Sequence, residues 1–259
     1  MNNDLTHTLW LPLLGLPLTL HTNSQSLAAA LEQQRPLGNW ADLPADLIDS
    51  LPPLQMDVVV GDAGEQCGKM RLHQHGPLML AGDGPRLLLA QTDRGYGLAF
   101  VPPDPLSHAL TAIWDLGVLL AHGRGRTPIR AVALECGGHA VLLVGTDLAD
   151  LLHACADRGL RPLAKNVVHV STGAGGLRIW GDGIGENVLS CAGPATLCLV
   201  EQGTVRASQI VALHDDVPIP DLNTAVGATY RLLVGTDVEM AAVLVEHVAR
   251  MDAPDHTRM

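Results

Sequence analysis

The sequence has few basic and few aromatic residues. Its 16 Lys and Arg residues stand against 27 Asp and Glu residues, giving a formal net charge of −11, and only Lys69 and Lys165 are lysines. Because nucleic-acid binding needs a surface rich in basic side chains, we expect no nucleic-acid partner. Aromatic residues make up 3% of the chain and hydrophobic residues 47%. The composition therefore predicts a globular protein with an aliphatic core.

The cysteines and the apolar N-terminal stretch lack the patterns of secreted or membrane proteins. The five cysteines are odd in number and contain no Cys-x-x-Cys pair, so neither a disulfide framework nor a zinc knuckle is predicted. The apolar stretch at residues 5–20 follows Asp4 rather than a basic residue and contains Pro12 and Pro17. We therefore expect no signal peptide, no membrane contact and a cytoplasmic location.

The first part of the chain, residues 1–104, is predicted to be a strand-rich α+β region. Short apolar or alternating segments recur and are interrupted by Gly and Pro, which is typical of strands joined by turns. One helix is expected over residues 24–34, with Asn23 or Ser24 as its cap. The strands are expected at residues 16–20, 56–60, 69–73, 78–81, 86–90 and 97–101, the last five as an antiparallel meander.

The second part, residues 105–251, is predicted to be an α/β core. A helix over residues 105–121, capped by Asp104 and with Pro105 in its first position, is expected to bridge the two parts. Strands are expected at residues 129–134, 140–144, 166–170, 177–180 and 195–201.

Two further helices complete this prediction. One follows residues 145–147 and ends near Gly159, a typical C-cap residue. The other starts with a capping box formed by Thr236 and Glu239 and precedes a tail at residues 252–259. Its apolar stripe is expected to contain Met240, Val243, Leu244, His247 and Val248. The chain is thus assigned to the α/β class, α+β overall.

Three short motifs are better explained by local structure than by function. Residues 63–70 resemble a phosphate-binding loop, but Met70 replaces the Ser or Thr and no helix pattern follows, so a hairpin turn is predicted. His73 and His75 share a strand face without further zinc ligands nearby in the sequence. Residues 214–216 are interpreted as an acidic turn. No Ser or Cys lies in a nucleophile motif, so no catalytic residue and no metal site are assigned.

One hexapeptide occurs twice. Leu-Leu-Val-Gly-Thr-Asp is found at residues 142–147 and again at 232–237, each time between a predicted strand and a predicted helix. The flanking residues do not match. We therefore interpret the two copies as similar strand-turn-helix solutions, with duplication as the alternative.

The order and spacing of segments from residue 97 to residue 170 resemble the HPr kinase-related proteins. The resemblance implies the phosphoenolpyruvate-carboxykinase-like nucleotide-binding fold, in a family that includes small bacterial kinases of proteins or peptides. It is carried by Gly-Leu-Ala-Phe-Val-Pro at 97–102, Arg-Thr-Pro-Ile-Arg-Ala at 126–131, Gly-His-Ala-Val-Leu-Leu-Val-Gly at 138–145, Asp-Arg-Gly-Leu-Arg at 157–161 and Ala-Lys-Asn-Val-Val-His-Val at 164–170.

The sequence departs from this family at the phosphate-binding loop. Family members follow the glycine at position 145 with a Walker A loop of the Gly-Lys-Ser/Thr type, whose lysine contacts the β- and γ-phosphates. Here Thr146 and Asp147 lead directly into the predicted helix, and no lysine follows. Asp147 also places negative charge where a phosphate would bind.

The sequence departs from the family at two further positions. The family's histidine after Thr-Pro falls at Arg130, and its acidic pair falls at Lys165 and Asn166. Neither Lys165 nor Asn166 can bind Mg²⁺ as a carboxylate does and accept a proton from a hydroxyl. The resemblance thus implies a vestigial nucleotide pocket formed by Gly145, Thr146, Asp147, Arg130, Lys165 and Asn166.

The resemblance and these departures together imply a degenerate member of the family, a pseudokinase that binds no cofactor. Such a protein would act through contacts with a protein or peptide, beside an active kinase or a peptide-modifying enzyme. The alternative is an ATP- and Mg²⁺-dependent Ser/Thr kinase with a non-standard loop, in which Lys165 assisted by Arg130, or else Lys69, replaces the missing lysine. A small-molecule-binding α/β protein is a third possibility. The Leu- and Val-rich strands also leave a homo-oligomer open.

Overall fold

The computed structural model of the chain describes residues 4–34, 52–61, 69–83, 86–173, 176–180, 188–190, 195–203, 206–213 and 226–253. These residues form two compact units. The first contains the described residues up to Arg126, and the second contains those from Thr127 onward. Helices and strands both occur in each unit, with mixed sheets, so the α+β class is confirmed.

Within its described residues, the first unit contains a seven-stranded sheet in the order β1-β2-β3-β7-β6-β5-β4. Helix α1 lies between β2 and β3 along the chain, and helix α2 follows β7. The elements are β1 (His7–Leu13), β2 (Leu16–Thr22), α1 (Gln25–Gln34), β3 (Leu54–Val60), β4 (Arg71–His75), β5 (Leu78–Gly82), β6 (Leu87–Gln91), β7 (Tyr96–Val101) and α2 (Leu106–His122).

The direction of β3 corrects the expected antiparallel meander. Strands β4 to β7 do form an antiparallel meander, but β3 runs parallel to β2 and to β7. Parallel neighbours need a crossover connection, and the segment containing α1 provides one between β2 and β3.

Both helices that the structure describes in the first unit were predicted, and one of the two expected caps is confirmed. The backbone N–H of Leu27 donates to Ser24 Oγ at 3.2 Å, so Ser24 caps α1. Asn23 instead pairs with the backbone of Val60 on β3. The expected cap of α2 is wrong, because Pro105 occupies the N-cap position and no side chain caps the helix.

Helix α2 belongs to the first unit, so the boundary lies after Arg126 rather than at residue 104. The helix packs against β3, β6 and β7. A Cβ atom added at Gly97 of β7 would lie 2.9 Å from Leu116 Cδ2 of α2, which shows how closely the two elements approach. Ile113, Leu116 and Leu120 of the helix are buried.

Within its described residues, the second unit contains a six-stranded sheet in the order β11-β9-β10-β15-β17-β16 and a four-stranded sheet in the order β14-β13-β12-β8. Its elements are β8 (Thr127–Ile129), β9 (Val132–Cys136), β10 (His139–Val144), α3 (Ala149–Asp157), β11 (Arg161–Ala164), β12 (Val168–Gly173), β13 (Gly176–Trp180), β14 (Val188–Ser190), β15 (Ala195–Gln202), β16 (Gln209–Leu213), β17 (Val226–Val234) and α4 (Val238–Asp252).

The second unit has three layers. One apolar cluster fills the space between the two sheets and includes Ile129, Leu142 and Ile179. A second cluster lies between the other face of the six-stranded sheet and helices α3 and α4, and includes Val141 and Val245. Strands β9, β10 and β15 of this sheet are thus largely buried on both faces, which explains their near-continuous aliphatic sequences.

Three expectations for the second unit need correction. The strand predicted at residues 129–134 is divided into β8 and β9, because the chain passes from one sheet to the other at Arg130. Asp237, not Thr236, caps α4 and accepts a hydrogen bond from the backbone N–H of Met240 at 3.1 Å. Asp252, expected in the tail, is the last residue of α4; residues 254–259 lie outside the described part.

Arg158, not Gly159, occupies the C-cap position of α3. Gly159 follows it with φ +87°, in the left-handed region that favours glycine just after a helix. None of the helices in the described ranges combines the length and the apolar composition needed to cross a membrane.

Candidate functional site

The site expected from the sequence lies at one edge of the six-stranded sheet. Strands β10, β15 and β17 run parallel, so their carboxyl ends share this edge. Strand β9 is antiparallel to β10 and to β11, and Val132 at its start pairs with Leu143 near the end of β10. The start of β9 and the ends of β10 and β11 therefore meet at the same place.

A cavity of about 540 Å³ opens at this edge. All six residues expected to form the vestigial pocket line it. The sheet crossings explain the placement, since Arg130 follows β8 and precedes β9, while Lys165 and Asn166 follow β11 and precede β12. The full lining is Arg130, Ala131, Val132, Gly145, Thr146, Asp147, Leu148, Ala149, Leu152, Lys165 and Asn166.

The connection from β10 to α3 is short and packs closely against β15. A Cβ atom at Gly145 would lie 2.5 Å from the backbone oxygen of Val200, so only glycine fits without displacement of the backbone. Asp147 has φ +53°, and its backbone oxygen accepts a hydrogen bond from Gln202 Nε2 at 3.3 Å. The helix then begins at Ala149. The chain turns here within four residues, 145–148, which leaves little backbone to surround a triphosphate.

Charges of both signs line the cavity. Arg130 and Lys165 bring positive charge, while Asp147 brings a carboxylate near the start of α3. Asp150 adds a second carboxylate in the first turn of the helix. Carboxylates at this position interact favourably with the positive end of the helix dipole. In a nucleotide site, a bound phosphate makes this same interaction.

Within the described residues, no group of three or more His, Cys, Asp or Glu side chains has an arrangement that would hold a metal ion. His73 and His75 lie on strand β4 of the other unit, where both are exposed. Residues 62–68, which include most of the phosphate-loop-like motif, and residues 214–216 lie outside the described part of the chain.

The second copy of the repeated hexapeptide also joins a strand to a helix, as predicted. It connects β17 to α4, while the first copy connects β10 to α3, and both lie at the same sheet edge. The two copies differ at their aspartates: Asp147 is left-handed, whereas Asp237 has φ −99° and caps its helix. Ser208 closes the second junction, accepting from the N–H of Gly235 at 3.0 Å.

A smaller cavity of about 300 Å³ lies at the same edge and shares Asp147 with the larger one. Its charged lining residues are Asp147 and Asp150, and the others are Leu151, Gln202, Val234 and Val238. Two carboxylates and no cation make this cavity unsuitable for a phosphate.

Sequence reasoning missed a buried polar cluster near the opposite end of β10. A carboxylate only accepts, so Thr196 Oγ1 donates its one hydrogen to Asp252 Oδ2 at 2.6 Å. His139 Nε2 is therefore the donor in its 2.9 Å hydrogen bond to Thr196 Oγ1. Tyr230 donates to the other oxygen of Asp252 at 3.2 Å. Burial lowers the pKa of His139, against the opposing effect of the Asp252 charge.

This cluster does not have the geometry of a nucleophilic triad. In a triad the histidine lies between the hydroxyl and the carboxylate, whereas here the hydroxyl of Thr196 lies between His139 and Asp252. Thr196 is also fully buried. The cluster therefore fixes the end of α4 to the sheet, and no motif in the sequence marks it, since its residues are far apart in the chain.

Comparison with known proteins gives no relative that would test these assignments: no family model matches the chain, and no curated protein matches it at a significant level.

Proposed function

We propose that the chain is a catalytically degenerate HPr kinase-like protein that acts in the cytoplasm through contacts with a protein or peptide. Its partner would be an active kinase or a peptide-modifying enzyme. One observation carries the proposal: residues 145–148 pass from β10 to α3 in a short turn, held against Val200 and containing Asp147 instead of a lysine.

The chemistry of phosphoryl transfer supports this conclusion. That reaction depends on neutralising and positioning the phosphates with a loop lysine, Mg²⁺ and a base that orients the nucleophile. Lys165 and Asn166, which the resemblance aligns with the family's acidic pair, both line the cavity. Neither residue supplies a carboxylate for Mg²⁺ or a general base. Loss of all three parts removes nearly everything that catalyses this reaction.

A second candidate function is an ATP-dependent kinase of a protein or peptide with a rebuilt site. The observation that favours it is that Arg130 and Lys165 line the same cavity as Gly145 and Thr146. Two cations beside a glycine-containing turn form a surface that attracts phosphate oxygens. Under this candidate, Lys165 takes the role of the missing lysine.

Isothermal titration of ATP, with and without Mg²⁺, separates the two candidates. We expect no saturable binding in the millimolar range and no ATP hydrolysis by the folded protein. Lys165→Ala tests the lysine of the cavity, and Lys69→Ala tests the alternative in which Lys69, an exposed residue of the first unit, replaces the missing lysine. Mg²⁺-dependent binding that either variant abolishes would establish the kinase candidate instead.

A further inference from the structure

Strand β4 forms one outer edge of the seven-stranded sheet. Within the described residues it pairs only with β5, and all five of its residues are exposed. An edge strand presents backbone N–H and C=O groups that can pair with another extended chain. This edge therefore offers a place for an additional strand.

One face of β4 carries basic and imidazole side chains. Because side chains alternate along a strand, Arg71, His73 and His75 lie on the same face. Exposed Lys69, one of the two lysines in the chain, comes two residues before Arg71. In a chain with a net charge of −11, this local concentration complements a partner with negative side chains.

The opposite face of β4 carries Leu72 and Gln74, which are both uncharged. Leu72 is 60% exposed there, and Met70, just before the strand, is 38% exposed. Two faces of different character impose a pattern on any strand that pairs with β4, because cross-strand neighbours share a face. Acidic side chains would lie beside Arg71 and His73, and apolar side chains beside Leu72.

We propose that β4 binds an extended segment of a partner protein in which acidic and apolar residues alternate, as an additional strand of the sheet. The inference goes beyond the proposed function and does not depend on the cavity at residues 145–148. The peptide measurement described below tests only the binding at β4, and the ATP measurement tests only the proposed function. A negative result in one therefore does not change the conclusion from the other.

The test measures binding of a fluorescently labelled short peptide in which Glu and Val alternate, by fluorescence anisotropy with the full chain. We expect saturable binding that weakens with added salt. A peptide alternating Lys and Val, and a Glu-Val peptide methylated at its backbone nitrogens, are expected not to bind. The first control reverses the charge, and the second removes the hydrogen-bond donors that strand pairing requires.

Two protein variants locate the binding surface. Arg71→Glu is expected to weaken binding of the Glu-Val peptide by about tenfold or more. Arg94→Glu, at an exposed arginine in the turn between β6 and β7, makes the same charge change away from β4 and is expected to bind normally. Thermal melting by circular dichroism shows whether both variants are folded.

Three outcomes would overturn the proposal. No binding of the Glu-Val peptide would mean that Arg71 only protects the edge against pairing, a common use of charge on edge strands. Equal binding by the Arg71→Glu variant would place the peptide elsewhere. A dimer in sedimentation that dissociates in Arg71→Glu would show that a second copy of the chain occupies this edge.

Discussion

His139 is held in a buried site by the hydroxyl of Thr196. Burial lowers the pKa of its imidazole, so the unfolded chain binds this proton more readily than the folded protein does. The contribution of His139 to the free energy of unfolding is fully present above the ordinary histidine pKa, about 6.5. This contribution is lost as the pH falls through the lowered pKa of the folded state. We therefore expect the protein to lose stability in mild acid.

The variant His139→Gln tests this expectation. A glutamine amide retains an N–H donor for Thr196 but does not titrate. We expect the free energy of unfolding, measured in urea, to fall less in the variant than in the unmodified protein between pH about 7.5 and about 5. Parallel pH dependence in the two proteins would contradict the assignment of the acid sensitivity to His139.

Gly145 determines the path of the chain between β10 and α3. A Cβ atom would lie 2.5 Å from the backbone oxygen of Val200, and a backbone atom in the middle of β15 cannot move aside easily. We expect Gly145→Ala to lower the free energy of unfolding by about 1–3 kcal/mol, as overpacking does elsewhere. Chemical denaturation measures this change.

The matched control for this substitution is Gly61→Ala. An added Cβ atom at Gly61 meets no atom within 4 Å, so the free energy of unfolding should change by no more than about 0.5 kcal/mol. If Gly145→Ala is tolerated as well as Gly61→Ala, residues 145–148 can rearrange. The packing of Gly145 against Val200 would then not exclude a phosphate-binding conformation of these residues.

At the scale of elements, α4 shows how a correct helix prediction can have a buried face that is only partly right, since Val248 of the predicted stripe is buried but Met240 is not. The apolar pattern predicted a helix with Met240 in its buried stripe. The structure buries Ala241, Ala242, Val245, Val248 and Ala249, and leaves Met240 44% exposed. Small residues face the sheet because the helix lies close to it, so hydrophobicity alone does not mark the contact face.

Two truncations in α4 distinguish the two assignments of the buried face. Val245→Ala removes two methyl groups from a fully buried side chain and should cost about 1–3 kcal/mol. Met240→Ala removes more atoms from an exposed position and should cost at most about 0.5 kcal/mol. Equal or reversed costs in urea unfolding would favour the stripe expected from the sequence.

At the scale of the whole molecule, the second unit has its own hydrophobic interior. Both of its apolar clusters consist of residues from Ile129 onward. A chain segment that supplies all the residues of its core meets the physical requirement for folding on its own. The fragment covering residues 127–259 is therefore expected to fold.

Trp180 offers a direct readout of this prediction. It is the only tryptophan after residue 127 and is fully buried, so its fluorescence reports on the core of the second unit alone. We expect a cooperative urea transition with a clear shift in the emission of Trp180. A gradual change without a transition would show that the second unit needs the first in order to fold.

The local features of this fold were predictable because they depend on neighbours in the chain. The alternation of β2, the helix of α2 and the left-handed glycine after α3 follow from backbone geometry and turn chemistry. The six residues of the candidate site were also named from the sequence, and they line one cavity. What this cavity binds stays a prediction.

Long-range contacts decided what the sequence left open. The two copies of Leu-Leu-Val-Gly-Thr-Asp are identical, yet Asp147 is left-handed beside a cavity while Asp237 caps a helix. Their neighbours differ: the backbone of Asp147 contacts Gln202, and that of Asp237 contacts Ser208. The sequence by itself determined where the helices and the central strands form, but it did not predict β1, β11, β14 or β16. Only the tertiary structure decided which strands pair, which helix face is buried and which residues surround the cavity, because those energies come from residues distant in the chain.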